Sequence, residues 1–135
     1  MLVLNDISSR LAEVRRRIDS AATSAGRDPS SVRLIAVSKT FPIDAIREAF
    51  AAGQRDFGEN KVQEGLQKFA TSADLSIRWH LLGHLQTNKA RKAVSAFAMI
   101  QSVDGVELLQ KLDRAAEESG RAPELLIQVD LAGEA

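Results

Sequence analysis

The chain has 135 residues, which fits one compact domain that hides roughly two thirds of its unfolded surface. Lys and Arg total 18, as do Asp and Glu, so the formal net charge is zero and no long-range field draws the chain to nucleic acid or to an anionic membrane. The absence of cysteine excludes disulfides, thiol nucleophiles and cysteine-based metal sites. Neither a signal peptide nor a membrane span of roughly 18 apolar residues is recognisable, so we expect a cytoplasmic protein.

The first predicted element is a helix over residues 5–25. Its apolar residues recur at three- and four-residue steps and form one stripe: Leu4, Ile7, Leu11, Val14, Ile18, Ala22 and Ala25. Asn5 is the predicted N-cap and Gly26 the predicted stop.

From residue 33 onward, short apolar runs alternate with helical patterns. The runs predict five strands, at residues 34–37, 55–58, 77–85, 99–103 and 125–129. The first is a continuous apolar run, typical of a strand that is buried on both faces. Pro42 is expected to begin the first intervening helix, and Gly53 and Gly120 to follow helix ends. The apolar faces predicted for the three longer helices are Ile46, Ala49 and Phe50, then Val62, Leu66 and Phe69, then Val106, Leu109, Leu112 and Ala116.

Strand starts at intervals of roughly 20–25 residues leave room only for tight crossovers, which must be parallel and right-handed. The fold class is therefore α/β. The spacing suits an open doubly wound sheet and part of a (β/α) barrel equally. In both, ligands bind at the C-terminal ends of the strands, where polar residues follow each predicted strand.

Lys39 follows directly on the first predicted strand. A stem in the apolar interior would partly desolvate its amine, which disfavours the ammonium form and makes the amine a usable nucleophile. Such a lysine can form a Schiff base with an aldehyde. An ordinary exposed lysine at a strand end is the alternative. The segment immediately before Lys39 lacks the glycines that a phosphate-binding loop needs, so it cannot be such a loop.

His80 and His84 have the spacing of zinc ligands on a helix, but a strand would separate them by about 13 Å, so no metal site is predicted. His84 is a candidate for lining a ligand pocket. The Gly58-Glu59-Asn60 run is a second candidate, against the alternative that Asn60 caps a helix and Glu59 pairs locally.

Several stretches together resemble the pyridoxal phosphate homeostasis proteins. They are LIAVSKT at 34–40, FGENKVQE at 57–64, WHLLGHLQTNKAR at 79–91, QSVD at 101–104 and LIQV at 126–129. The resemblance runs in order along nearly the whole chain. It implies a fold like the N-terminal TIM-type barrel of alanine racemase, with parallel (β/α) units. The chain would be one partial domain over residues 1–135, with an N-terminal helix at 5–25 and strand–helix units at 33–135.

The resemblance also implies function. Pyridoxal 5′-phosphate would be held as an aldimine on Lys39, with Asn60, His84 and Ser102 around its ring, in a protein that buffers the cofactor without catalytic turnover. The family's barrel has eight strands and this chain supplies the first five, without the expected phosphate loops. An incomplete barrel exposes sheet edges, so we expect self-association or exchange of elements between chains.

Two other functions compete with this one. An amino-acid racemase of the alanine racemase type relies on a tyrosine opposite the lysine, and this chain contains no tyrosine. A structural fragment that cannot bind the cofactor is the remaining alternative.

Overall fold

The computed structural model describes residues 6–133. Its helices and strands in chain order are α1 (Ile7–Ser24), β1 (Ala36–Val37), α2 (Ile43–Ala51), β2 (Asp56–Glu59), α3 (Val62–Thr71), β3 (Arg78–Leu81), α4 (Ala90–Ala96), β4 (Met99–Val103), α5 (Val106–Ser119) and β5 (Glu124–Ile127). Short 3-10 turns lie at Pro29–Ser31 and Thr87–Lys89. The predicted order of one helix followed by strand–helix units is confirmed.

The five strands form one parallel sheet in the order β1-β2-β3-β4-β5. A doubly wound sheet reverses its strand order at a switch point, and this sheet does not. Each strand pairs only with its neighbours along the chain, as in a (β/α) barrel. The strand order therefore removes the doubly wound alternative and leaves five strands of the barrel type.

One face of the sheet is packed against the helices, and the other face is turned away from them. Phe57 is paired in register with Trp79, and their ring centroids are 5.8 Å apart on the helix-facing side. Since side chains alternate along a strand, Asp56 and His80 lie on the opposite face. The largest fully buried apolar side chains fill the space between sheet and helices: Phe57, Phe97, Ile46, Leu81, Leu85, Ile100, Leu112, Val94 and Val103. Each contributes about 1.5–3 kcal/mol of burial.

Several predicted boundaries are wrong by a few residues. The first strand covers only Ala36–Val37, the third ends at Leu81 rather than residue 85, and the fifth is Glu124–Ile127. Asp6 is the N-cap of α1 because its Oδ1 accepts a hydrogen bond from the Ser9 amide at 2.7 Å. This corrects the prediction for Asn5, which lies outside the described residues.

Some side chains predicted to be buried are exposed. Val37 lies on the face opposite the helices, next to Gly58, and is 51% exposed, so β1 is not covered on both faces. In α3 the buried residues are Gly65 and Lys68, while Phe69 is exposed.

The last helix also turns a different face inward from the one predicted. It buries Leu108, Leu112 and Ala115 and leaves Val106 and Leu109 exposed. Two overlapping apolar stripes fit its sequence equally well, and packing selects the one that faces the sheet. No helix within residues 6–133 is long and apolar enough to cross a membrane.

Candidate functional site

Lys39 lies in a tight turn at the C-terminal end of β1. The Ser38 amide donates to the Gly58 carbonyl at 2.9 Å, which extends the sheet ladder by one residue. The Phe41 amide then donates to the Ser38 carbonyl at 3.1 Å and closes a four-residue β-turn with Lys39 and Thr40 at its centre. Lys39 itself is exposed. The expectation of a stem inside the apolar interior is therefore wrong, because even Val37, the last residue of β1, faces solvent.

Thr40 has a φ of +68°, in the left-handed region. Glycine and asparagine are the usual residues there, and a β-branched residue is an outlier. Such a conformation persists only where the surroundings determine it. The Glu64 carboxylate supplies one such restraint, since its Oε2 accepts from the Thr40 amide at 2.7 Å.

A buried charge network lies beneath the turn. Glu59 has no exposed surface, and its carboxylate accepts from the Lys68 ammonium at 2.9 and 3.0 Å and from the Ser38 hydroxyl. The same ammonium donates to the Ser38 carbonyl at 2.7 Å and to Glu64 at 2.9 Å. Residues on both sides of Lys39 are thus connected to α3.

The hydrogen bond from Lys68, followed by that from the Thr40 amide, holds the pKa of Glu64 below its ordinary value of 4.5. Both bonds favour the carboxylate. No buried side-chain nitrogen or oxygen within residues 6–133 lacks a hydrogen-bond partner. The network is therefore complete, as buried polar clusters must be in order to be tolerated.

The loops after β2 and β3 are packed against each other, and the loop after β3 is bonded to the end of β4. A Cβ at Gly83 would lie 2.0 Å from the Asn60 carbonyl oxygen, so only glycine permits this approach. The Ser102 hydroxyl donates to the Gly83 carbonyl at 2.6 Å. Asn60, exposed, and Ser102, buried, therefore lie on either side of Gly83. Asn60 does not cap α3, whose N-cap is Lys61.

His84 follows Gly83 and is exposed. Its Nδ1 lies 3.6 Å from the Asp104 carboxylate, beside a cleft of about 350 Å³ between the loop after β3 and the start of α5. Within residues 6–133, no group of three or more histidine, cysteine or acidic side chains is arranged to hold a metal ion. His84 is in a loop and His80 is in β3, so the two histidines have different surroundings.

A second polar network lies at the N-terminal end of the sheet. Arg78 donates to both oxygens of Asp56 at 2.9 and 2.7 Å, and His80 Nε2 lies 2.9 Å from Asp56 Oδ1. The Gln101 amide lies 3.2 Å from His80 Nδ1. Burial raises the pKa of Asp56, but the hydrogen bonds from Arg78 and His80 outweigh it and leave that pKa below 3.8.

All four predicted site residues lie at the C-terminal edge of the sheet. Gly83 joins Asn60 to Ser102, and His84 is the next residue along the chain. Lys39 connects to this group through its neighbour Ser38, which bonds to β2.

The sequence prediction missed Lys68, and it gave Glu59 only a local partner. A usable signal was present, because Glu64 and Lys68 have the i, i+4 spacing of a helical ion pair. Lys68 also occupies the helix face that meets the sheet.

The chain is similar to known proteins over nearly its whole length. The chain is 45% identical over 132 residues to the pyridoxal phosphate homeostasis protein of Pseudomonas aeruginosa and 40% identical over 134 residues to that of Escherichia coli K12. These alignments cover 98% and 97% of the chain, and the chain spans 57% of each relative. The resemblance found in the sequence is therefore confirmed.

Solved structures give the same picture of the fold. PipY of Synechococcus elongatus, solved with pyridoxal phosphate bound, is 53% identical with a TM-score of 0.82, over 96% of this chain and 57% of PipY. Alanine racemase of Streptomyces coelicolor shares the fold alone, at 23% identity and a TM-score of 0.66, over 90% of this chain and 31% of the racemase. The family model described as "Alanine racemase, N-terminal domain" matches residues 9–134, and the chain belongs to that family.

Proposed function

We propose that this chain binds pyridoxal 5′-phosphate as a Schiff base on Lys39 and serves intracellular homeostasis of that cofactor without catalytic turnover. The observation that carries the proposal is the geometry of the turn after β1. Both neighbours of Lys39 are hydrogen-bonded to the rest of the domain, while the Lys39 side chain itself is exposed. A fixed backbone with a free amine suits reversible capture of an aldehyde.

The chemistry requires little more than that amine. The uncharged Lys39 nitrogen adds to the aldehyde carbon of the cofactor, and loss of one water molecule leaves a carbon–nitrogen double bond. Hydrolysis reverses the step, so the cofactor can be released unchanged. Bound cofactor would supply an electron-withdrawing pyridinium ring, and this chain's residues would hold and orient it.

The residues near Lys39 fit such a ligand. Asn60 is exposed and has an amide that can donate and accept, and the lack of a side chain at Gly83 lets Asn60 pack directly against the loop after β3. The Ser102 hydroxyl donates its hydrogen bond to the Gly83 carbonyl, so its oxygen can still accept a hydrogen bond from a ligand. We assign Asn60, Ser102 and His84 to the surroundings of the ring, with Lys39 as the covalent anchor.

The relatives support the proposal from a different direction. The homeostasis proteins and PipY are similar to this chain over nearly its whole length, and PipY was solved with the cofactor bound. A racemase role has no comparable support, since alanine racemase shares only the fold and this chain has no tyrosine to act as a second base.

The test is borohydride reduction of the 135-residue chain after incubation with pyridoxal phosphate, followed by peptide mapping. We expect the reduced label on Lys39 and its loss in Lys39→Ala. Lys89→Ala is the control, because Lys89 is a half-buried lysine in the 3-10 turn after β3, and it should leave the label unchanged. Label spread over Lys61 and Lys89 with none on Lys39 would exclude the proposal and favour a structural role.

Absence of turnover needs its own measurement. With common amino acids and saturating cofactor, we expect no exchange of the α-proton into deuterated solvent. Exchange that persists through many turnovers and disappears in Lys39→Ala would assign the chain to the racemase class instead.

A further inference from the structure

Lys68 is a buried lysine that the proposed chemistry does not use. Its side chain is 9% exposed, and its three ammonium protons are directed to the Ser38 carbonyl, the Glu59 carboxylate and the Glu64 carboxylate. An amine with all its donors engaged by two anions and a carbonyl is a poor nucleophile. The role of Lys68 therefore depends on the groups that its hydrogen bonds join.

The connections converge on the two residues that flank Lys39. Lys68 bonds directly to the carbonyl of Ser38, the residue before Lys39. It also bonds to Glu64, which accepts from the amide of Thr40, the residue after Lys39. A side chain on a helix leans toward the helix N-terminus, so Lys68 reaches back to the edge of the sheet where the turn lies.

The turn needs such restraint because of Thr40. A β-branched residue with φ near +68° leaves that conformation readily when nothing holds it. The Glu64 bond to the Thr40 amide opposes this relaxation, and Lys68 keeps Glu64 charged and in place. The Ser38 carbonyl is fixed as well, because it accepts from both Lys68 and the Phe41 amide.

A purely structural ion pair would give a different pattern. Such pairs join elements of the core and can often be replaced by apolar residues at little cost. Here, apart from Glu59 and Glu64, every partner of Lys68 within residues 6–133 is an atom of the turn itself or of its own helix. The hydroxyl of Ser38 completes the set by donating to Glu59.

We propose that Lys68, acting with Glu59 and Glu64, is a positioning residue that fixes the Lys39 turn and so sets the reactivity of Lys39 toward aldehydes. The inference rests on the proposed function for its chemical consequence. Its structural part, the restraint of the turn, does not depend on any cofactor.

The first experiment uses no cofactor. Hydrogen exchange of the Thr40 amide is measured by NMR in the wild-type chain, in Lys68→Met and in Glu64→Ala. We expect exchange at Thr40 to rise at least tenfold in both variants. Glu64→Gln keeps an oxygen that can accept from the Thr40 amide, so this variant should stay within a few-fold of the wild type.

The second experiment measures the chemistry. After incubation with pyridoxal phosphate and borohydride reduction, the label on Lys39 is divided by the label on Lys89 in the same chain. We expect this ratio to fall about tenfold in Lys68→Met and in Glu64→Ala. Leu112→Ala is the control for general destabilisation, because Leu112 lies in α5 and its loss should leave the ratio unchanged.

The outcomes separate the two proposals. No label on Lys39 of the wild-type chain would remove the proposed function, while Thr40 exchange would still test the restraint. A folded Lys68→Met chain with Thr40 exchange and labelling ratio both within twofold of the wild type would refute the inference. If Lys68→Met does not fold, Glu64→Ala decides by the same criteria, since Glu64 is partly exposed and its removal leaves the Lys68–Glu59 pair intact.

Discussion

The two ends of β2 each bury a carboxylate, and they use it differently. At the N-terminal end, Asp56 is paired with Arg78, whose side chain is 56% exposed, and with His80. At the C-terminal end, Glu59 has no exposed surface and is paired with Lys68, which is itself buried. One carboxylate lies on each face of the sheet, because the two are three residues apart.

The difference follows the general asymmetry of (β/α) barrels. Conserved chemistry is placed at the C-terminal ends of the strands, and the N-terminal ends contribute stability. The Asp56 network joins strand to strand, from β2 to β3 and on to Gln101 in β4. The Glu59 network instead joins a helix to the turn that carries the exposed lysine. We infer that the first network could be altered without changing Lys39, and that the second could not.

The largest expected effect comes from removing each carboxylate in turn. Glu59→Ala leaves the buried Lys68 ammonium with Glu64 as its remaining carboxylate partner, and breaking a buried ion pair in this way costs about 3–5 kcal/mol. Asp56→Ala leaves Arg78, which can turn to solvent, and the ring of His80 without one hydrogen-bond partner, so its cost should be about 1–3 kcal/mol. Urea unfolding of both variants measures the two values.

A double variant sharpens this result. Glu59→Leu with Lys68→Met removes both members of the pair, and we expect it to be more stable than Glu59→Ala. Equal losses of stability in Glu59→Ala and Asp56→Ala would show that the two ends of β2 are energetically alike.

On acidification, the stabilisation contributed by the Glu64 and Asp56 carboxylates should be lost over different ranges of pH. The pKa of Glu64 is below 4.5 in the folded chain, so the unfolded chain takes up that proton first and the stabilisation is lost as the pH falls from about 4.5 through the folded value. For Asp56 the corresponding loss begins at about 3.8. Carbon-13 NMR of the two carboxyl groups, with urea midpoints between pH 6 and 3, tests the order. Glu64→Gln should remove the first part of the loss and Asp56→Asn the second.

A smaller effect is expected from the turn residue. Thr40→Gly relieves a left-handed conformation in a β-branched residue, which costs about 1–3 kcal/mol, but adds entropy to the unfolded chain, which costs about 0.5–1 kcal/mol. The net change should be a stabilisation of about 1 kcal/mol. The opposite effect is expected for Gly120→Ala. Gly120 has a φ of +71° and open space where a Cβ would lie, so the alanine should destabilise the chain by about 1 kcal/mol through backbone strain alone. Thermal unfolding of both variants gives the signs.

The smallest expected effect is the preference for a phosphate group. In such barrels the phosphate is held by loops after strands seven and eight, and residues 6–133 of this chain form five strands. Charge-assisted hydrogen bonds are worth about 1.5–3 kcal/mol each, so losing two weakens binding by about a hundredfold or more. We expect pyridoxal phosphate and pyridoxal to bind the 135-residue chain within about tenfold of each other. A larger preference in parallel titrations would locate a phosphate site among these residues.

The sequence predicted the fold well because its signals are local. Helix stops at Gly53 and Gly120, and the apolar run at 99–103, are determined by a few neighbouring residues. The resemblance added the barrel, which periodicity alone did not separate from an open sheet. Boundaries failed where apolar residues continue past the end of a strand, as at Leu82 and Leu85 after β3.

Only part of the candidate site could be predicted from the sequence. Lys39, Asn60, His84 and Ser102 could be placed at one edge because parallel strands share a direction. The i, i+4 spacing of Glu64 and Lys68 indicates an ion pair but not its burial, since the burial of Lys68 depends on a carboxylate nine residues earlier, on the helix-facing side of β2. The exposure of Val37 depends on which face of the sheet the helices cover, and that is a property of the whole fold.

The strand order has a consequence for how the chain acquires its structure during synthesis. Each strand pairs with the one before it, about twenty residues earlier, and β5 never returns to β1 within the described residues. As the chain emerges from the ribosome, each new strand can therefore pair with a strand that has already been synthesised, without waiting for later segments. The Lys39 turn and its partners in β2 and α3 all lie within residues 38–68, so we expect the turn to be fixed before β3 has been synthesised.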